Sequence, residues 1–139
     1  VRNVVALATI WSAADALDLC VFAVAPTRAL SLRRMTDLLE GITGWLASDW
    51  ELMRFGERRL HLMQLFNRRE GLGPDLDTLP DRFFDDPIPD GRWAGRRLDR
   101  AEFEAAVALF YRLMGWDETG TPTAEVLLDH GLERFAGGG

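Results

Sequence analysis

Apolar residues follow helical rather than strand spacing along most of this chain. Residues 4–16 are good helix formers without Pro or Gly, so we predict a first helix there. Its apolar residues occur on nearly all faces, which is typical of a helix packed on several sides. Sustained alternation of apolar and polar residues is absent. The pattern therefore predicts an all-α, irregular helical domain of about five helices.

Glycine, proline and hydroxyl residues predict the next boundaries. Pro26 closes the first apolar segment. Ser31 is a predicted N-cap for a helix over residues 32–40, with Gly41 and Gly44 at its end.

A longer third helix is predicted over about residues 49–69. Ser48 and Glu51 have the spacing of a capping box, in which a hydroxyl is followed three residues later by Glu. Gly56 lies inside this helix, where it costs up to about 1 kcal/mol relative to Ala. A close approach of another helix or a local break would explain this glycine.

The segment from residue 70 to 95 has a different character. It is rich in Pro and Gly, which is typical of an ordered irregular excursion or a linker. Phe83, Phe84 and Trp93 favour an excursion that lies on a hydrophobic surface.

Two helices are predicted after the excursion. Asp99 and Glu102 form a second predicted capping box before an apolar-faced helix. A short last helix is expected near residues 122–130, with Gly131 as its stop. Residues 137–139, all Gly, are expected to be frayed.

Composition limits the class of protein. The chain has 139 residues, enough for one domain, and a net charge of −6, which argues against nucleic acid as the main partner. All 16 basic residues are Arg, so the chain has no lysine for a Schiff base. A single cysteine cannot form an internal disulfide, so we expect a cytoplasmic protein. The chain begins with Val and shows no signal-peptide order, so we expect it to be cut from a longer protein.

The apolar run over residues 4–25 is long enough to raise the question of a membrane span. Asp15 and Asp18 lie within it, and each would cost roughly 2.5–3.5 kcal/mol at the centre of a bilayer. A buried helix, with no membrane contact, is therefore the better interpretation.

The same two carboxylates stand close to Cys20, the only thiol. Burying an unpaired carboxylate costs several kcal/mol, so Asp15 must reach solvent at a helix end or meet a partner. A lone cysteine is most often a small buried hydrophobic residue. The alternatives are a nucleophile, for which only His61 and His130 could act as base, or one ligand of a metal site. Without a Cys-x-x-Cys pair in the chain, the other ligands would have to lie elsewhere.

Several segments in this order resemble the C-terminal domain of the aldehyde ferredoxin oxidoreductase family. The matching segments are DALDLC at residues 15–20, LEGITGW at 39–45, FGERRL at 55–60, FNRREGL at 66–72, DTLPDRF at 77–83, PDG at 89–91, Asp99 with Glu102 and Phe103, YRLMGWD at 111–117 and GTPT at 120–123. Each segment is weak alone, but together they cover nearly the whole chain.

The resemblance implies a metal-dependent enzyme. Members of this family hold tungsten, sometimes molybdenum, between two pterin dithiolenes beside a [4Fe-4S] cluster, and they oxidise aldehydes to carboxylates with ferredoxin as electron acceptor. By resemblance, Asp15 would hydrogen-bond one pterin, the backbone near Leu19 would contact it, and Cys20 would be the fourth cluster ligand. The other three cysteines would lie upstream, in a missing N-terminal part of the same enzyme.

One position departs from the family pattern. The family has glycine where this chain has Asp18, within the cofactor-binding segment. Glycine can lie close to a pterin or adopt a positive φ angle. Asp adopts the left-handed region more readily than most residues, but it adds size and charge beside an anionic cofactor.

The resemblance also predicts an organisation and partners. Residues 1–72 would be cofactor-contacting helices, 73–98 the irregular excursion, and 99–136 the C-terminal helices. The chain alone would be inactive, and the whole enzyme could be a homodimer. Two alternatives remain: another superfamily member, such as an aromatic acyl-CoA reductase subunit, and a cofactor-free helical interaction module in which Cys20 belongs to the core.

Overall fold

The structure is a computed structural model that describes residues 1–24 and 30–135. In these ranges the α-helices are α1 (Arg2–Ala16), α2 (Val21–Val24), α3 (Leu32–Thr43), α4 (Asp49–Arg69), α5 (Arg82–Asp85), α6 (Arg100–Leu113) and α7 (Ala124–Asp129). Short 3-10 helices occupy Pro74–Leu76 and Glu133–Phe135. The described residues contain no β-strand, so the all-α prediction is confirmed. The predictions for Pro26 and for residues 137–139 concern positions outside the described ranges.

The packing of α1 against α4 forms the centre of the fold. Gly56 allows this contact, because a Cβ atom there would collide with the carbonyl oxygen of Thr9 and stand 3.1 Å from the amide nitrogen of Ala13. The hydroxyl of Ser12 donates a 2.8 Å hydrogen bond to the carbonyl of Gly56. Of the two explanations for this glycine, the close helix–helix approach is therefore the correct one, since α4 runs unbroken through it.

A small apolar core joins α1 to the next elements. Ala13, Ala14, Val24, Met35 and Leu52 form a buried cluster that links α1, α2, α3 and α4. Partly buried hydrophobic residues pack around this cluster, and Leu19 is one of them. The end of α1 is thus anchored to the same core as α3 and α4.

Within this chain, the burial of α1 is concentrated in its second half. Its buried residues are Thr9, Ser12, Ala13 and Ala14, whereas Val4 is more than half exposed. The prediction of a helix packed on several sides holds for its second half and is wrong for its first. None of the described helices has the length and hydrophobicity that a membrane crossing requires.

Most helix ends follow the predicted caps. Ser31 and Ser48 both cap their helices, and Ser48 forms the complete capping box with Glu51. Of the second predicted capping box, the Asp99 half is confirmed: its carboxylate caps α6 by accepting from the amide of Glu102. Gly41, however, does not end α3: the helix continues to Thr43, and the left-handed residue is Gly44.

The Pro/Gly-rich excursion is ordered by backbone hydrogen bonds. The amide of Ile88 donates to the carbonyl of Arg96, and the amide of Leu98 donates to the carbonyl of Phe83. The ring of Phe84 is buried and packs edge-on against Phe103 of α6, with 5.5 Å between ring centroids. The ordered excursion is thus confirmed, although Phe83 remains partly exposed.

Candidate functional site

The segment over residues 15–20 forms the C-terminal turn of α1. The amide of Leu19 donates to the carbonyl of Ala14 at 3.0 Å, and the amide of Asp18 donates to the carbonyl of Asp15 at 3.1 Å. These two bonds are the hydrogen bonds of a Schellman motif, which ends a helix with one left-handed residue. The side chain of Leu19 packs against the cluster that contains Ala14, as such a motif favours.

Asp18 is the left-handed residue of this turn. Its φ angle is +53°, and it is the only non-glycine residue with positive φ among those described. Glycine adopts this conformation without steric cost, whereas most L-residues pay 1–2 kcal/mol. The turn would therefore account for the glycine that the resemblance implies at this position, and Asp is one of the few replacements that tolerate its conformation.

The carboxylate of Asp15 reaches solvent at the end of α1, one of the two outcomes predicted for it. Its side chain is 56% exposed, and Arg59 of α4 lies 3.7 Å away. The same guanidinium lies 3.4 Å from the hydroxyl of Ser12, which is itself bonded to Gly56. Arg59 therefore ties Asp15 loosely to the α1–α4 contact and leaves its oxygens accessible.

The thiol of Cys20 is exposed, so the expectation of a buried hydrophobic cysteine is wrong. The carbonyl of Cys20 accepts from the amide of Ala23, and this hydrogen bond lies at the start of the short helix α2. The side chain thus follows directly after the turn that carries Asp18, in the same exposed segment as Asp15.

Cys20 and Asp15 offer two different binding groups, a thiol and a carboxylate. A thiolate is the usual protein ligand of an iron–sulfur cluster, and a carboxylate accepts hydrogen bonds from ring N–H groups. Within the described residues, no three His, Cys, Asp or Glu side chains come together as a metal site. Cys20 and Asp15 are thus side chains of the types that can bind such groups, and both are exposed.

The two histidines lie together, away from this turn. The indole N–H of Trp116 donates to Nδ1 of His61 at 2.9 Å, and the rings of His61 and His130 are 4.5 Å apart. Arg54 approaches Nε2 of His130 at 3.0 Å. Neither histidine contacts Cys20 in these interactions, so the structure does not support the alternative of a cysteine nucleophile with a histidine base.

Both histidines are held neutral. Burial, followed by the nearby His130 and Arg54, lowers the pKa of His61 to about 4. Burial is also the main cause that lowers the pKa of His130, with Arg54 next. Since indole and guanidinium groups can only donate, both rings must accept, which requires an unprotonated nitrogen.

A polar stripe on α4 explains why sequence reasoning missed this cluster. His61, Gln64 and Arg68 recur at helical spacing on α4. Gln64 donates to the carbonyl of Gly120 at 2.7 Å, and Arg68 pairs with Asp77 at 3.0 Å. The sequence signal for this cluster is the spacing of these residues, which places them on one face of α4. That face contacts the C-terminal segment.

A separate cleft lies away from the 15–20 turn. It has a volume of about 920 Å³ between the Pro74–Leu76 turn and α6, with Phe103, Val107 and Trp116 among its apolar lining. Tyr111 also lines it and donates its hydroxyl to Asp77, and burial followed by this bond raises the pKa of Tyr111 to about 12. The residues of the 15–20 turn are not among its lining, so cleft and turn are separate features.

Known proteins supply the remaining evidence. A family model described as "Aldehyde ferredoxin oxidoreductase, domains 2 & 3" matches residues 1–132. The tungsten-containing aldehyde ferredoxin oxidoreductase of Pyrococcus horikoshii is 35% identical over 136 residues, which are 97% of this chain and 21% of that protein. Its namesake from Pyrococcus furiosus is 34% identical over 122 residues, 87% of this chain and 19% of that protein.

A further relative is named for a different substrate. The "aliphatic sulfonate oxidoreductase, WOR-like subunit" of Pyrococcus furiosus is 27% identical over 126 residues, which are 85% of this chain and 19% of that protein. This chain thus spans about a fifth of the length of the relatives it matches. The family match covers the turn, the core and both histidines, and the chain therefore belongs to the aldehyde ferredoxin oxidoreductase family, as its C-terminal domain.

Proposed function

We propose that this chain is the C-terminal part of a tungsten–pterin enzyme, with molybdenum as the alternative metal, that oxidises aldehydes to carboxylates and passes the electrons to ferredoxin. The observation that carries the proposal is the turn at the end of α1. Asp18 holds this turn in the left-handed conformation, with an exposed carboxylate at Asp15 before it and an exposed thiol at Cys20 directly after it.

Each residue of the turn has a role in this proposal. The carboxylate of Asp15 accepts N–H groups of one pterin, and the backbone at Leu19 lies against it. The thiolate of Cys20 binds one iron of a [4Fe-4S] cluster, whose other ligands come from the upstream part of the enzyme. When bound, the metal–pterin group performs the oxidation and the cluster carries the electrons away.

The immediate surroundings of the turn suit these roles. The guanidinium of Arg59 lies 3.7 Å from the carboxylate of Asp15, so a cation stands beside this group. The Schellman hydrogen bonds hold the backbone of residues 18 and 19 relative to α1.

The names of the relatives are the basis for the substrate class that we propose for this protein. The proteins from Pyrococcus horikoshii and Pyrococcus furiosus are named for aldehydes, whereas the more distant relative is named for sulfonates. We favour aldehydes because the higher identity lies with the first group. Since one thiol and one carboxylate cannot complete either site, this chain alone would be inactive.

The test uses the full-length gene product. Cys20→Ser should lower the iron and labile-sulfide content, because an alcohol is a poor ligand for iron. Asp15→Asn should lower the tungsten and pterin content and leave more of the iron. Asp37→Asn, which removes an exposed carboxylate from α3, is the matched control and should change neither.

Two outcomes would contradict the proposal. A folded full-length protein without tungsten, molybdenum or iron would favour a cofactor-free interaction module. Full iron content in the Cys20→Ser protein would exclude this thiol as a cluster ligand.

A further inference from the structure

An apolar face surrounds the link between α3 and α4. We define the α3–α4 face as Leu38, Ile42, Trp45, Leu46 and Trp50. The last four side chains of this face are each 69–81% exposed, and Leu38 is 41% exposed. Isolated exposed apolar residues are normal, but a contiguous group that includes two tryptophans marks an interaction site.

The face is displayed by ordered backbone. Gly44 ends α3 in the left-handed conformation, and its amide donates to the carbonyl of Glu40 at 2.8 Å. The hydroxyl of Thr43 accepts from the amide of Trp45 at 3.1 Å. The capping box of Ser48 then begins α4, so both ends of the link are held.

The face points away from the core of the chain. Helix α3 buries Met35 and Thr36, while Leu38 and Ile42, one helical turn apart, stay exposed. No charged residue occurs from residue 41 to 48. Tryptophan enrichment and charge depletion together are the composition of an interface centre.

We infer that the α3–α4 face is covered by the upstream part of the same polypeptide, and that it fixes this domain on the body of the enzyme. The inference rests on the proposed function only in taking the chain as part of a longer enzyme. The matched relatives support this occupant, since about four-fifths of their length lies outside the aligned region. A second copy of the chain is the competing occupant.

Docking of this face would also position the candidate cofactor site. Met35 of α3 and Leu52 of α4 belong to the cluster against which Leu19 packs. The α3–α4 face and the turn over residues 15–20 are therefore both attached to the same small core. A partner that holds the face would restrict the movement of Asp15 and Cys20 relative to the rest of the enzyme.

Hydroxyl-radical footprinting of the full-length gene product tests the inference. The labelling rate of Trp45 and Trp50 in the folded protein is compared with their rate in urea. Buried Leu52 and exposed Leu128 serve as internal references. We expect both tryptophans to label at a buried rate, independent of protein concentration. This readout does not need cofactor, so its failure and that of the iron assay are distinguishable.

Three outcomes decide the case. Labelling of both tryptophans at the unfolded rate would overturn the inference. Protection that disappears when a dimer is diluted to monomer would overturn it in favour of a second copy. In the supporting case, Leu46→Gln raises the labelling of Trp45 and Trp50, whereas Leu128→Gln leaves them protected.

Discussion

Ser12 donates its hydroxyl to the carbonyl of Gly56 at 2.8 Å and so joins α1 to α4 where the two backbones meet. The contact exists because residue 56 has no side chain. It lies one helical turn before Asp15, whose carboxylate emerges from the same helix. The helix contact therefore sets the direction in which the candidate site faces.

Replacement of Gly56 by Ala should destabilise the chain. The new methyl group would meet the carbonyl oxygen of Thr9, and overpacking of this kind costs about 1–3 kcal/mol, more than the gain in helix propensity. Urea unfolding followed by circular dichroism measures the loss. Gly41→Ala is the control: position 41 lies inside α3 with nothing within 4 Å, so this change should stabilise by about 0.5–1 kcal/mol. Equal effects of the two changes would contradict the close approach.

Asp18→Gly should stabilise the chain by up to about 1 kcal/mol, because glycine adopts the left-handed conformation without strain. Asp18→Ala removes the same carboxylate but keeps the Cβ atom, so it should destabilise the chain. The difference between the two variants isolates the backbone conformation from the charge. If both variants shifted the unfolding midpoint in the same direction, the charge rather than the φ angle would control the turn.

The stability of the chain should fall as the pH falls below about 6.5. The pKa of His61 is lowered to about 4 in the folded protein, mainly by burial, with His130 and Arg54 opposing protonation and Asp129 favouring it. Between pH 6.5 and 4 the unfolded state therefore binds more protons than the folded state, and the free energy of unfolding decreases by roughly 3 kcal/mol in total from this group. His130, whose pKa is also lowered, acts in the same direction.

Urea unfolding at pH 7.5, 5.5 and 4.5 measures this dependence. His61→Gln should flatten it, because the amide oxygen can accept from Trp116 without titrating. His130→Gln should remove only the smaller part of the pH dependence of stability and leave the larger part, which His61 contributes. An unchanged slope in the His61→Gln protein would show that other groups carry the acid sensitivity.

Much of the architecture could be predicted because its causes are local. The capping box at Ser48 and the spacing of apolar residues in α4 depend on neighbours within one helical turn. Gly41 was misinterpreted because a glycine in a helix and a glycine at its end look alike in sequence. Only Gly44 has the positive φ angle that ends α3.

The order of motifs predicted the family, which the family match over residues 1–132 confirms. The roles that this resemblance implies for Asp15, Asp18, Leu19 and Cys20 stay predictions. The exposure of Cys20 was not predictable, since a lone cysteine in an apolar run is usually buried. The His61 cluster was missed because Trp116 and His130 are far from it in sequence.

The sequence by itself determined the helical class, most helix boundaries and the family of this protein, because periodicity, caps and motif order are properties of short segments. Tertiary structure alone decided which way each residue faces. It turned His61 and Gln64 of α4 inward, where the indole of Trp116 and the carbonyl of Gly120 are their hydrogen-bond partners, and it left the thiol of Cys20 and the α3–α4 face outside. These outcomes depend on contacts between segments dozens of residues apart, whose free energies no local pattern contains.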